Sequence, residues 1–264
     1  MKPTLLQRLH AGPPQRPAGA SAPSPAPAGG AARHAGTVAV VVLADLQPSA
    51  RVWGWSRLVL GAAPFRAVPG LRLCKVLGSG AGGGFSVRPS GTHQGLFLGF
   101  QDEASAFDFA DRSPVMAAYR ARSRELLVGV LRACSSKGTW SGTAMPPTAG
   151  TPAGGIAAPV AALTRASIRL RHAGAFWRLQ PAAEQALADA PGCLLAAGLG
   201  EAPLLRQATF SLWSSAADMD GYARSGAHQT AIRAAYGGEW FSESMFLRLV
   251  PLRLQGRWQG RDHG

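Results

Sequence analysis

Gly138-Thr139-Trp140-Ser141-Gly142 returns as Gly256-Arg257-Trp258-Gln259-Gly260, 118 positions later (256 − 138). Other fragments repeat at similar spacings. Leu77-Gly78-Ser79-Gly80 is matched by Leu199-Gly200-Glu201-Ala202, Arg112-Ser113 by Arg224-Ser225, and Trp53-Gly54-Trp55 by Phe176-Trp177. A chain that carries one unit twice must bury the same kind of surface twice, and this constrains its fold more than any other feature of the sequence.

Within each copy the pattern of apolar residues predicts the same order of elements. The first copy reads as a strand Val38–Leu46, a helix from Trp53 ended by Pro64, a strand Leu71–Leu77, a loop Gly78–Pro89, a strand Leu96–Gln101, a helical stretch and a strand Leu126–Cys134. The second reads as Val160–Leu170 (strand), Gly174–Ala190 (helix), Cys193–Gly198 and Gln207–Trp213 (strands), a helical stretch, and Phe246–Leu254 (strand). The order is β-α-β-β-α-β twice, the ferredoxin-like unit. Such a unit covers one sheet face with its own helices and leaves the other bare. The expected fold is therefore α+β, with two ferredoxin-like repeats packed sheet to sheet as a pseudo-dimeric α/β barrel. The expected site is a cavity between a sheet and its helices.

The expected organisation is a disordered extension over 1–36, a first repeat over 37–142, a linker over 143–159 and a second repeat over 160–260. Residues 1–36 hold seven prolines, nine alanines and no acid, too little apolar surface to offset the entropy of ordering. Residues 143–159 are rich in Pro, Gly, Thr and Ala. The longest apolar run, Val38–Ala44, is far short of the ~20 residues of a membrane-spanning helix. The net charge of +13 suits an anionic partner or an anionic membrane surface. Cys74, Cys134 and Cys193 lie far apart with no Cys-x-x-Cys, which points to small buried hydrophobes in a reducing cytosol rather than to a disulfide or zinc framework.

Both copies break their second helical stretch directly after Arg-Ser. Ser113-Pro114 supplies an N-cap and a first-turn proline in one copy, and Gly226 interrupts the other. Aligned at that break, His228 stands opposite Met116. His228, Ala231, Ile232 and Ala235 share one helical face. A histidine on such a face is either a satisfied core group or a ligand; a neutral imidazole there is chemically suited to be an axial ligand to haem iron. The strand Val160–Arg171 alternates. Its apolar side belongs to the helices, so Arg165, Ser167, Arg169 and Arg171 face the barrel interior or its mouth. Buried arginines need anions there, either haem propionates or the protein's own carboxylates.

Gly78–Gly84 lacks the Lys-Ser/Thr and the following helix of a phosphate loop, and reads as a lid or hairpin. The tryptophans are not interleaved with a Lys/Arg run, so no nucleic-acid partner is expected despite the charge.

The second copy resembles the spheroidene monooxygenase family, the acyclic-carotenoid 2-ketolases of photosynthetic bacteria. The likeness rests on Leu163–Arg169, Gly198–Pro203, Gln207–Trp213, Ala227-His228, Glu239–Phe241 and Gly256–Gly260, joined in the first copy by Cys74–Gly80 and Gly138–Gly142. It covers about residues 37–260. The resemblance implies an O2-dependent, haem-containing monooxygenase that takes electrons from reduced ferredoxin and installs a keto group at C-2 of an acyclic carotenoid. In that reading His228 is the axial iron ligand and Arg165 and Arg169 pair with the propionates. Phe210 and Trp213 line the pocket, and Glu201 is a candidate proton donor. The protein would be cytoplasmic and peripheral at the inner membrane. Two alternatives stay open on the residues alone: a cofactor-free barrel oxygenase and a non-enzymatic lipophile-binding protein.

Overall fold

The first strand of the computed structural model, β1 (Val38–Leu46), is buried at every residue. A strand that opens on seven consecutive Val, Ala and Leu residues, Val38–Ala44, can only be central, because alternate side chains must enter two different apolar layers. The structure describes residues 36–150, 158–202, 204–224 and 226–264. After β1 come α1 (Arg51–Leu60), β2 (Leu71–Gly80), β3 (Pro89–Phe100), α2 (Glu103–Arg112), α3 (Pro114–Arg122) and β4 (Ser123–Gly138). The second half runs β5 (Val160–Ile168), α4 (Ala173–Ala188), β6 (Cys193–Ala202), β7 (Arg206–Trp213), α5 (Ala216–Ala223), α6 (Gly226–Gly237), β8 (Phe241–Trp258) and a short β9 (Arg261–His263).

The helix starts follow local chemistry. Asp102 caps α2 by accepting from Ser105 N, and Ser113 caps α3 by accepting from Val115 N ahead of Pro114. Ser215 caps α5 in the same way, accepting from Asp218 N.

Strand order is β4-β1-β3-β2 in the first half and β8-β5-β7-β6 in the second, every pair antiparallel. Two seams join the halves. One is short, with Gly78 opposite Gly200 and Ser79 opposite Leu199, and Ser79 Oγ donates to the Gly198 carbonyl at 2.6 Å. The other is the long β4–β8 ladder, from Gly138 opposite Met245 to Leu127 opposite Gly256. These seams close the eight strands into an antiparallel barrel and leave no open edge among them. All eight strands contribute to its packed interior, among them Leu43, Leu77, Phe97, Leu131, Leu163, Leu199, Phe210 and Leu247.

The repeated Gly-x-Trp-x-Gly segments begin within the ends of β4 and β8 and sit at opposite ends of that ladder. Their backbones repeat as well. Gly138 and Gly256 have φ of 84° and 116°, Ser141 and Gln259 51–52°, and Gly142 and Gly260 74–76°. Trp140 and Trp258 are both fully buried.

The strands are longer than expected. β4 and β8 run several residues beyond the stretches Leu126–Cys134 and Phe246–Leu254, because at the barrel ends the pairing continues through polar residues. β3 begins at Pro89 rather than at Leu96, so His93 lies in the strand. β5 ends at Ile168, where Leu170–His172 turns into a short 3-10 helix. Of the expected linker, residues 143–150 are tied to the barrel. Thr148 N donates to Ala133 O, Thr37 N donates to Pro146 O, and Met145 is buried in the interior. Residues 151–157 and the expected disordered extension, up to residue 35, lie outside the described residues.

Candidate active site in the second helical layer

The two halves differ in how well their helices fill the outer face of the sheet. In the first, Val38, Val40, Val42, Phe65, Phe100, Phe109, Met116 and Tyr119 pack into a continuous core. In the second, the same strand positions carry Val160, Ala162, Thr164 and Ala166, and the core shrinks to a handful of residues. The space left over is a cavity of about 570 Å³ between β5, β7 and β8 on one side and α4, α5 and α6 on the other. Its walls are mainly apolar, with Phe176, Leu179, Trp213, Ile232, Phe246 and several alanines. Interiors otherwise pack to the density of organic crystals, so an apolar space of this size is the place where a ligand belongs.

His228 lies in the first turn of α6 and lines this cavity, with Ala231, Ile232 and Ala235 of the same helical face. Its ring stacks on Tyr222, and Tyr222 leans on Trp213 with ring centroids 5.2 Å apart. The Tyr222 hydroxyl donates to Ala183 O at 3.2 Å, and Trp213 Nε1 donates to Ser211 Oγ at 2.9 Å. Burial pushes the imidazole below its ordinary pKa, so it is neutral at pH 7. No hydrogen bond to the His228 ring occurs among the described residues. Its counterpart Met116 is completely buried in the first half.

Arg165 does face the barrel interior, where it is 3% exposed. Its anions are the protein's own. Nη1 reaches Glu243 Oε2 at 2.5 Å and Nη2 reaches Glu201 Oε2 at 3.2 Å. Glu201 also binds Lys75 at 2.8 Å and accepts from Trp140 Nε1 at 3.0 Å. Glu243 accepts from Thr139 Oγ1 and Gly142 N. Burial raises the Glu243 carboxyl, but the Gly142, Thr139 and Ser141 donors and Arg165 outweigh it and hold the group at about 2. Glu201 is likewise held below its ordinary range, against burial, by Lys75, Trp140 and Arg165. A carboxylate held ionised in this way is a poor proton donor at neutral pH, so the role expected of Glu201 does not fit the geometry.

Arg169 is exposed, and its Nε donates to Glu239 O at 3.1 Å, bracing the turn between α6 and β8. Arg165 and His228 both border the cavity, Arg165 with its charge turned to the two carboxylates, whereas Arg169 lies outside it. Trp213 lines the cavity as expected, whereas Phe210 faces the barrel interior and belongs to its core. The three thiols are pushed up by burial, Cys74 to about 12.

Lys137 was not singled out from the sequence. It stands at the end of β4, crosses the seam to line the cavity of the other half, and is exposed with no ion pair among the described residues. One signal was present. The repeat places Lys137 opposite Gln255, so this cation belongs to one copy only.

No protein-family profile matches the chain. It is 51% identical over 229 residues to spheroidene monooxygenase of Rubrivivax gelatinosus, an alignment covering 87% of this chain and 88% of that protein. It is 35% identical over 213 residues to the spheroidene monooxygenase of Rhodobacter capsulatus, covering 80% and 88%. Among solved structures, an aldoxime dehydratase in complex with butyraldoxime superposes with a TM-score of 0.50 at 10% identity, covering 81% of this chain and 79% of that one. A second aldoxime dehydratase gives 0.50 at 11% identity, covering 81% of each. At such identities the likeness concerns the fold alone.

Proposed function

The chain belongs to the spheroidene monooxygenase family, and on that premise we propose that it uses O2 to convert the C-2 methylene of a linear carotenoid to a ketone, with haem held by His228 in the cavity of the second half. The observation that carries this reading is a neutral imidazole, without a hydrogen-bond partner among the described residues, on the wall of an apolar cavity.

The residues present suit a haem. The walls are apolar, the imidazole is uncommitted, and Lys137 offers a free cation for a propionate where Arg165 is already neutralised by Glu201 and Glu243. When bound, haem would supply the activation of O2. The stoichiometry is two monooxygenations. Each consumes one O2, two electrons and two protons, converts a C–H bond to C–OH and releases water. The gem-diol left after the second loses water to give the ketone.

The chain's own residues hold and orient. Tyr222 fixes the plane of the His228 ring. Ile232, Phe246 and Phe176 offer the polyene a dry wall and keep bulk water from the reacting carbon. Reduced ferredoxin is the proposed electron donor, and an acidic donor protein suits the excess of 27 bases over 14 acids. The same charge favours peripheral contact with an anionic membrane, the source of a lipophilic substrate. Among the described residues no helix is long and apolar enough to cross a membrane.

We read the two halves as ferredoxin-like repeats. The matching strand orders and the shared positive φ values of the two Gly-x-Trp-x-Gly segments support this.

The test uses the purified chain reconstituted with haem and given a linear carotenoid, O2 and reduced ferredoxin. A Soret band at one haem per chain that is lost in His228→Ala, together with a red-shifted keto product, is the expected result. A carotenoid returned unchanged by haem-loaded protein, or a Soret band unaltered in His228→Ala, overturns it.

A further inference from the structure

A second cavity, of about 350 Å³, lies beside the first, and the two share Phe85, Glu184 and Leu187 as a common wall. Phe85 comes from the first half. The β2–β3 connection, residues 81–88, is long enough to cross the short seam, whereas its counterpart between β6 and β7 spans only 203–205.

The crossing is held in place by backbone approaches that only glycine allows. A Cβ on Gly198 of β6 would lie 2.4 Å from Gly84 O, and one on Gly83, at φ +81°, would lie 2.7 Å from Trp258. Phe85 N donates to Glu184 Oε1 at 3.4 Å, and the ring packs against the small apolar core of the second half. The main chain of the loop is thus anchored, while the half-buried Phe85 side chain keeps its two side-chain torsions.

A cavity of about 570 Å³ is of the size that encloses one drug-sized ligand; a haem at His228 takes up much of it, and a linear carotenoid is much longer than what remains. The second cavity supplies the missing length. Its lining also includes Gln259, Arg261 and His263, groups that suit a terminal oxygen better than further hydrocarbon.

We infer that the two cavities are one substrate channel, partitioned by Phe85 and Leu187, and that the Phe85 side chain sets how long a linear polyene the site admits. This rests on the carotenoid reading proposed above. Phe85 is a specificity-determining residue here: it touches the chain of the substrate far from the carbon that reacts.

On the haem-free chain, two neutral linear polyenes of different length test this by quenching of tryptophan emission: diphenylhexatriene, which fits the first cavity alone, and lycopene, which needs both. Phe85→Trp should weaken lycopene binding at least tenfold and change diphenylhexatriene binding by less than twofold. Phe85→Ala should tighten lycopene about threefold with the same indifference to the short probe. Leu187→Trp, which narrows the partition from the opposite wall, should reproduce Phe85→Trp and guards against a fault peculiar to one variant. If both probes weaken together, or lycopene responds to none of the variants, the channel is wrong and the carotenoid reading survives. If the wild-type chain binds neither polyene, both readings fall.

Discussion

The imidazole of His228 lies face to face on the phenol ring of Tyr222, with centroids 4.5 Å apart and planes inclined by 27°. With Trp213 behind Tyr222, a ladder of rings runs from β7 through α5 to α6 and fixes the imidazole plane without occupying its nitrogens. The phenol at this position supplies orientation and no proton, since burial pushes its hydroxyl far above the neutral range.

Burial of His228 makes stability depend on pH in a defined direction. Its folded-state pKa lies below 6.5, so the unfolded chain binds the proton more readily. The resulting stability is complete above about pH 6.5 and falls as pH drops toward the folded-state value. His93 and His263 shift the same way, so His228 accounts for a share of the acid limb rather than all of it. Denaturant unfolding from about pH 8 to about pH 5 should show a shallower acid limb in His228→Gln than in the wild type. Identical limbs would mean that the ring is solvated.

Arg165 predicts a second effect of acid, at lower pH. Glu243 sits at about 2 in the folded chain against an ordinary 4.5, so its contribution is present above 4.5 and lost between there and about 2. Removing one partner strands the others. Glu243→Gln leaves a guanidinium that is 3% exposed with half its countercharge, and should cost about 3 kcal/mol in unfolding free energy. Arg165→Met should make the pH dependence between 2 and 4.5 only somewhat shallower, since the Gly142, Thr139 and Ser141 donors still hold Glu243 down, and should leave haem binding intact, because the guanidinium is neutralised by the protein's own carboxylates. A lost Soret band in folded Arg165→Met would instead place the guanidinium on the cofactor.

Much of the fold was legible because the repeat made every weak signal count twice. The ends of β1 and the caps at Asp102 and Ser113 follow directly from apolar runs and N-cap residue types. The strand ends of β4 and β8 were not legible, since pairing there crosses the seam between halves and recruits polar residues that no local period marks. The site was legible in part. His228 stood out because Met116 occupies the matching place. The partners of Arg165 did not, because Glu201 and Glu243 reach it from other strands. Lys137 and Phe85 act across the seam, and a reading that takes each copy by itself has no means of assigning them to the other copy's cavity.

The long seam yields a prediction that depends on backbone alone. A Cβ on Gly138 would lie 2.0 Å from Ser244 O, and one on Gly256 would lie 2.0 Å from Leu126 O; both glycines have positive φ. Gly142 also has positive φ but meets nothing within 4 Å. Gly142→Ala should therefore cost only about 1 kcal/mol, the penalty for a left-handed non-glycine residue. Gly138→Ala and Gly256→Ala should each cost clearly more, because the β4–β8 ladder must open to admit the methyl. Thermal unfolding of the three variants measures the difference, and equal losses would refute the close approach.

Val40 and Ala162 occupy the same place in β1 and β5, and they separate a packed layer from a hollow one. Val40 is fully buried among the helices of the first half, so Val40→Phe overpacks a filled core and should cost about 1–3 kcal/mol. Ala162 is almost as buried, at 6% exposed, but it looks into the cavity, where a larger ring finds free volume. Ala162→Phe should leave stability within about 0.5 kcal/mol of wild type. It should also reduce lycopene affinity more than tenfold, since the ring takes the space the polyene needs. Burial alone predicts equal losses of stability at the two positions, so the contrast isolates the cavity as the cause. A destabilised Ala162→Phe, or one that binds lycopene as the wild type does, would show that this space is not where the polyene lies.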